Sequence, residues 1–423
     1  MSSQQNYPPA MQSTLNTAKQ KQPRLLHLPV ELQHKIIDVL HQKPYGMSYV
    51  EMPYRLWSYY DSIPDMLNLS NTCSWFRGLL APQRLPSKDP MYPPEVDEVL
   101  SNLSWFNELE MLTVEFPACP VQTHGKIWQS TDKGMILTDS EEYNQAWYGL
   151  MGPSYRSVLS NSPGYHDGGR LAFTCLNIMN LHPVQVPEFV TENFRGFLSQ
   201  LKSFRLSIRQ WVQRRDYANI AYQCIFGELA ENLGCWFFSH LSSVETFHFN
   251  PSDLTVVPTY GTSYGLRGVR MPMLRKLVFV NIFICPELIE FLVAHLDTLE
   301  SIRLEDCVAY HLPPSAHDDS PGLSFPALTW DDLFTTLKTE SPTRLRHLQV
   351  VDKYTPLGSV YYSGPPVERE VRIFAYGYPG RDGYRESSYE YLQTAWLEGH
   401  DLRSYEALKS LVALNRRHDG VES

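Results

Sequence analysis

One pattern constrains this chain more than any other. From about residue 100 onward an apolar residue, two others, an apolar residue, one other and an apolar residue recur along the sequence. Leu109/Leu112/Val114, Phe173/Leu176/Ile178, Leu201/Phe204/Leu206, Val244/Phe247/Phe249, Leu274/Leu277/Phe279, Leu299/Ile302/Leu304 and Leu345/Leu348/Val350 all fit it. The last two apolar positions alternate as a half-buried strand requires. An Asn or Cys follows several of them, as at Asn180, Asn281 and Cys307.

Helical spacing fills the intervals. Val190, Phe194, Phe197 and Leu201 precede one triplet, and Leu288, Leu292, Leu296 and Leu299 precede another. Leu333, Phe334 and Leu337 follow a cap at Thr329 and lead into the Leu345 strand. Strand and helix therefore alternate, each unit burying a face against the next. The middle positions 112, 176, 204, 247, 277, 302 and 348 are unevenly spaced, so some units need inserted loops. The longest insertion, 115–170, reads as an excursion.

Composition agrees with a folded chain. Of 423 residues, 43% are hydrophobic and 19% charged, enough to build a core and too apolar for global disorder. A formal charge of −10 gives no global footprint for nucleic acid or an anionic membrane. The most apolar stretch, 277–296, contains Asn281, Pro286, Glu287, Glu290 and His295, which argues against a span. The polar N-terminus lacks an apolar core, so no secretory signal is expected. Seven cysteines, an odd number with no CxxC pair, suit buried free thiols in a reducing compartment. The expected location is cytoplasmic and/or nuclear.

Chemical motifs are missing. There is no GxxxxGK[ST], no GxGxxG and no HExxH. His166-Asp167 and His317-Asp318-Asp319 read as solvated loops, and YGYPGRDGY (376–384) as a Gly/Tyr turn. No catalytic residue, metal or cofactor is expected.

Before the triplets lie two helical patterns. In LLHLPVELQHKIIDVL (25–40), Leu28, Leu32, Ile36 and Leu40 form a stripe that Pro29 can start. In DMLNLSNTCSWFRGLLAP (65–82), Met66, Leu69, Cys73, Phe76 and Leu80 fall at helical spacing. Together these segments resemble the F-box. Leu28, Pro29, Glu31, Leu32, Ile36 and Leu40 match its first part, and Asp65, Leu67, Leu69, Thr72, Cys73, Phe76 and Arg77 its second. The aromatic-rich insertion 42–64 departs from the family, in which a few residues join the two parts. Leu299-xx-Ile302-x-Leu304-xx-Cys307 matches the leucine-rich-repeat core. An F-box followed by irregular leucine-rich repeats looks most like the F-box proteins numerous in filamentous fungi.

The resemblance implies an α/β protein: an N-terminal three-helix F-box followed by an irregular leucine-rich-repeat solenoid. The expected organisation is a disordered tail (1–23), the F-box with its inserted loop (24–82), a linker (83–99), the solenoid (100–375) and a C-terminal cap and tail (376–423). It also implies a non-catalytic substrate receptor of an SCF-type ubiquitin ligase. The F-box would dock on a Skp-type adaptor, and through it a cullin, using Leu28, Pro29, Leu32, Ile36, Leu40, Leu67 and Phe76. The repeats would bind an unidentified target protein. The alternatives are an F-box scaffold outside any ligase and, ranked lower, an enzyme with a site in 115–170.

The residue between the two alternating apolar positions points to the opposite face of the sheet. Reading it through the seven triplets gives Thr113, Asn177, Arg205, His248, Val278, Arg303 and Gln349. Arg205, His248, Val278, Arg303 and Gln349 are the candidate target-binding residues, with Lys276, Glu305 and His347 beside them. Two arginines on an acidic protein suit an acidic or phosphorylated segment. A solvated strand face is the plain alternative.

Overall fold

The computed structural model describes residues 92, 94–105, 109–116, 140–162, 173–208, 229–251, 264–310, 328–351, 374–379, 385–387 and 398–418. The chain divides into two compact units, Met1–Gly78 and Leu79–Ser423, and every described residue belongs to the second. The expected N-terminal tail (1–23) and the expected F-box with its insertion (24–82) lie outside the described residues.

The last two apolar residues of each triplet sit on a strand. These strands are β1 (Met111–Glu115), β2 (Cys175–Leu181), β3 (Ser203–Ile208), β4 (Thr246–Asn250), β5 (Lys276–Val280), β7 (Ser301–Glu305) and β9 (His347–Val351). They form one seven-stranded sheet in the order β1-β2-β3-β4-β5-β7-β9, and every neighbouring pair is parallel. Strand order follows chain order without reversal. Crossovers of one hand between successive neighbours return on one face, so that face is covered and the other is left for polar residues.

Burial follows that division. Leu112, Leu176, Phe204, Phe247, Leu277, Ile302 and Leu348 are in register and buried, as are Val114, Ile178, Leu206, Phe249, Phe279, Leu304 and Val350. Against them pack α3 (Glu192–Leu198), α4 (229–236), α5 (Pro286–Val293) and α6 (Trp330–Thr339). Phe237 stacks on Phe204 at 6.0 Å between ring centroids, and Phe291 meets Phe279 at 5.9 Å. A core this aromatic gains ring-on-ring attraction beyond its buried area, about 0.5–1.5 kcal/mol per well-placed pair.

Local chemistry sets the helix starts. Thr191 caps α3 by accepting the Phe194 N–H. Thr329 and Asp332 form a reciprocal capping box on α6. Pro286 opens α5, where its missing N–H costs nothing. Val190 belongs to a short 3-10 turn and is 46% exposed, so it does not join the apolar stripe expected of it.

A left-handed residue marks the end of three long strands: Asn180 (φ 57°) is the last but one of β2, and Asn281 (φ 55°) and Asp306 (φ 53°) directly follow β5 and β7. Asn and Asp tolerate this conformation better than other side chains. Beyond Asn281 and Asp306 the chain turns into β6 (Phe283–Ile284) and β8 (Val308–Tyr310), which pair in parallel. Beyond β9, β10 (Ala375–Pro379) pairs in parallel with β8, and β11 (Arg385–Ser387) lies antiparallel to β10. This second, four-stranded sheet runs β11-β10-β8-β6. It corrects the reading of 376–384 as a turn, since Tyr376–Pro379 are strand.

Two more expectations change. The span 115–170 contains α2 (Ser140–Leu159), which folds onto the sheet. Its Tyr155 is buried among Phe116, Phe189 and Phe194. The region 83–99 ends in α1 (Pro94–Leu100), which is bound to α2 rather than free. The Ser157 hydroxyl donates to Asp97 at 2.5 Å, and the Asn161 amide donates to the Leu100 carbonyl at 2.6 Å.

At the other end α7 (His400–His418) closes the structure against α6 and β9. The Asn415 amide donates to the carbonyls of Pro342 and Leu345, at 2.6 and 3.0 Å. Asp401 accepts the Tyr376 hydroxyl at 2.7 Å and the Asp331 N–H at 2.9 Å, which ties α7 to β10 and α6.

Candidate functional site

The outward residues of the long strands form rows across the sheet. Register places Thr113, Asn177, Arg205, His248, Val278, Arg303 and Gln349 side by side in one row. Arg205, His248, Val278 and Arg303 are half-buried, Gln349 is exposed, and Asn177 is buried against Thr113 and Met111. A second row, toward the strand starts, runs Met111, Cys175, Ser203, Thr246, Lys276, Ser301, His347. Glu305 is the next outward residue after Arg303.

Arg303 is already engaged. Its Nε and Nη2 donate to one oxygen of Glu305 at 3.0 and 2.9 Å, and its Nη1 donates to the Gln349 amide oxygen at 2.9 Å. Glu305 is buried and Arg303 neutralises it. The face therefore carries less free positive charge along the Arg205–Arg303 row than its residue types suggest. Both residues were legible as outward, but their pairing depends on side-chain geometry two positions apart on one strand.

The cations that sequence reasoning missed lie at the strand starts. Residues one step before the second row form a backbone hydrogen-bond ladder. The N–H of Thr174 donates to Glu110 O, Lys202 to Thr174, Glu245 to Lys202, Arg275 to Glu245, Glu300 to Arg275 and Arg346 to Glu300, all at 2.8–3.1 Å. Its charged members alternate in sign, with ion pairs Lys202–Glu245 at 3.4 Å and Arg275–Glu300 at 3.7 Å. The signal was in the sequence, as a charged residue two positions before the middle apolar residue of successive triplets. The ladder ends on Arg346, beside His347.

From α7, Arg416 reaches the same corner. Its Nη2 lies 3.1 Å from His347 Nδ1, and its Nε donates to the Arg346 carbonyl. Arginine only donates, so His347 Nδ1 accepts and Nε2 carries the proton. Partial desolvation, then the charges of Arg416, Lys276 and Arg346, hold the His347 pKa below its ordinary value. Lys276 and Arg416 make no ion pair among the described residues.

Two thiols are buried and unreactive. Burial pushes Cys285 and Cys307 up to about 12, so neither supplies a thiolate near neutral pH. Cys235 is exposed and Cys175 half-buried, contrary to the expectation that the cysteines are buried. Among the described residues no three His, Cys, Asp or Glu side chains gather as a metal site would need, and no helix is long and apolar enough to cross a membrane. The expected adaptor residues Leu28, Pro29, Leu32, Ile36, Leu40, Leu67 and Phe76, and the motifs at His166 and His317, lie outside the described residues. Compared with known proteins, the chain matches no family model, no curated protein and no solved structure.

Proposed function

We propose that this chain is the substrate-recognition subunit of an SCF-type ubiquitin ligase. The F-box-like segment 24–82 docks on a Skp-type adaptor, and a leucine-rich-repeat solenoid binds the protein to be modified. One observation carries the target-binding half of this reading: seven parallel strands in chain order set their outward residues in register on one face. The left-handed residues Asn180 and Asn281, each two residues past the last apolar residue of its triplet, support the repeat interpretation. Stacked repeats of this kind present extended binding surfaces. The adaptor half rests on the residues that resemble the F-box.

Affinity capture of the full chain from cells with the proteasome blocked tests the proposal. The adaptor, a cullin and a target that accumulates under the block are expected together. Capture without adaptor would overturn the ligase reading. Capture of adaptor with a partner whose lifetime is unchanged would assign a scaffold instead.

A further inference from the structure

We infer that the sheet face binds a carboxylate-rich polypeptide segment, held at its C-terminal corner by Lys276, His347 and Arg416. This rests on the reading of the face as the target-binding surface and names the chemistry of the target.

The corner combines three elements. Lys276, Ser301 and His347 are adjacent in one row on β5, β7 and β9. Arg416 comes from α7 and is fixed against His347 and the Arg346 carbonyl. Lys276, His347 and Arg416 are exposed. Lys276 and Arg416 have no carboxylate partner among the described residues, whereas Lys202 and Arg275 on the same edge, and Arg303 on the same face, are each paired with a glutamate. Among the described residues, positive charge is thus left without a carboxylate partner at one end of the face, on a chain whose net charge is −10.

Several features fit a peptide rather than a single ion. The donors are spread over three strands and a helix, Lys276 on β5, Ser301 on β7, His347 on β9 and Arg416 on α7, as contacts along an extended segment would be. Ser301 and the Nε2–H of His347 add neutral donors between them. The adjoining row offers Val278 and Gln349 for an apolar and an amide contact. Charge complementarity of this kind sets specificity and encounter rate, and it weakens with salt.

Fluorescence anisotropy with the full chain tests the inference. The probes are a fluorescein-labelled peptide of alternating glutamate and glycine, its glutamine counterpart, and a phosphoserine–glycine peptide. The glutamate peptide is expected to bind at least about tenfold more tightly than the glutamine peptide, and to weaken as salt is raised. Lys276→Glu and Arg416→Glu should each abolish that preference, and for Lys276→Glu the thermal melt should stay unchanged. The wild-type salt titration reads the same effect without any variant. Equal binding of the glutamate and glutamine peptides, or variants that bind like wild type, would overturn the inference. Binding of the phosphoserine peptide alone would also overturn a carboxylate-rich occupant. None of these outcomes depends on the adaptor, so failure here and failure of the ligase reading are distinguishable.

Discussion

A Cβ placed on Gly234 would lie 2.5 Å from the carbonyl oxygen of Gly265. The two backbones touch because Gly265 is left-handed (φ 70°) and Gly234 has no side chain to hold them apart. This contact joins α4 to the loop that leads toward β5. The obstacle is backbone, so no side chain can swing away. Gly234→Ala is expected to destabilise the protein by about 1–3 kcal/mol, as overpacking does. Gly196 in α3 is the control, since a methyl group there would meet nothing within 4 Å. Gly196→Ala should stabilise by about 0.5–1 kcal/mol. Chemical denaturation of both variants checks the pair.

The same loop is held by a buried carboxylate. Glu287, in the first turn of α5, accepts N–H groups from Tyr264 at 2.9 Å, Leu266 at 2.6 Å and Arg267 at 2.9 Å. Glu287→Ala strands these donors, and each unsatisfied buried group costs about 1–3 kcal/mol, so a loss of about 3 kcal/mol or more is expected. Glu287→Gln, which keeps one amide oxygen, should lose less. Hydrogen exchange should show the amides of 264–267 opening first in the alanine variant.

His295 gives the fold a pH dependence. Its Nε2 accepts the Met271 N–H at 2.9 Å, and its Nδ1 donates to the Phe291 carbonyl at 2.7 Å. Burial holds its pKa below the ordinary value; the Phe291 carbonyl opposes this and the Arg270 charge adds to it. The unfolded chain takes up the proton near about pH 6.5, and the folded chain only at lower pH. This contribution is complete above about pH 6.5 and is lost as pH falls from there toward the folded value. The melting temperature should drop between about pH 7.5 and about pH 5.5. His295→Gln can still accept the Met271 N–H but does not titrate, so its drop should be smaller. An equal drop would assign the effect to another group.

The charge ladder predicts a coupling. Arg275 stands between Glu245 and Glu300. Arg275→Glu sets three carboxylates in succession and should cost about 0.5–1 kcal/mol at low salt, because exposed pairs are weak. Adding Glu300→Arg restores opposite charges at positions 275 and 300 but sets like charges at 300 and 346, so the readout is the coupling energy between the two positions rather than recovered stability. A double-mutant cycle with no coupling energy would show the ladder to be electrostatically idle.

How far the fold could be read from the sequence depended on length and periodicity. The strands around Phe204, Phe247, Leu277 and Ile302 announce themselves, because two inward residues flank one outward residue in each. The β6–β8 pair does not, because strands of two or three residues leave no period to read. Helix α2 was hidden by Gly149, Gly152 and Pro153, which break helical patterns even though Pro153 sits inside this helix. On the face, the row through Arg205 and Arg303 followed from strand alternation alone. That Arg303 is bound to Glu305 and Gln349, and that Arg416 arrives at His347 from a helix 69 residues away, are facts of tertiary packing.

The central claim is that adaptor and target occupy different parts of one receptor. Truncating an apolar anchor of an interface costs about 2 kcal/mol or more. The most direct measurement is paired capture from cells with the proteasome blocked, using the full chain with Leu32→Asp and Ile36→Asp, and the full chain with Lys276→Glu and Arg416→Glu. The first variant is expected to lose the adaptor and keep the target, and the second to keep the adaptor and lose the target. Adaptor capture that survives Leu32→Asp and Ile36→Asp would contradict the claim.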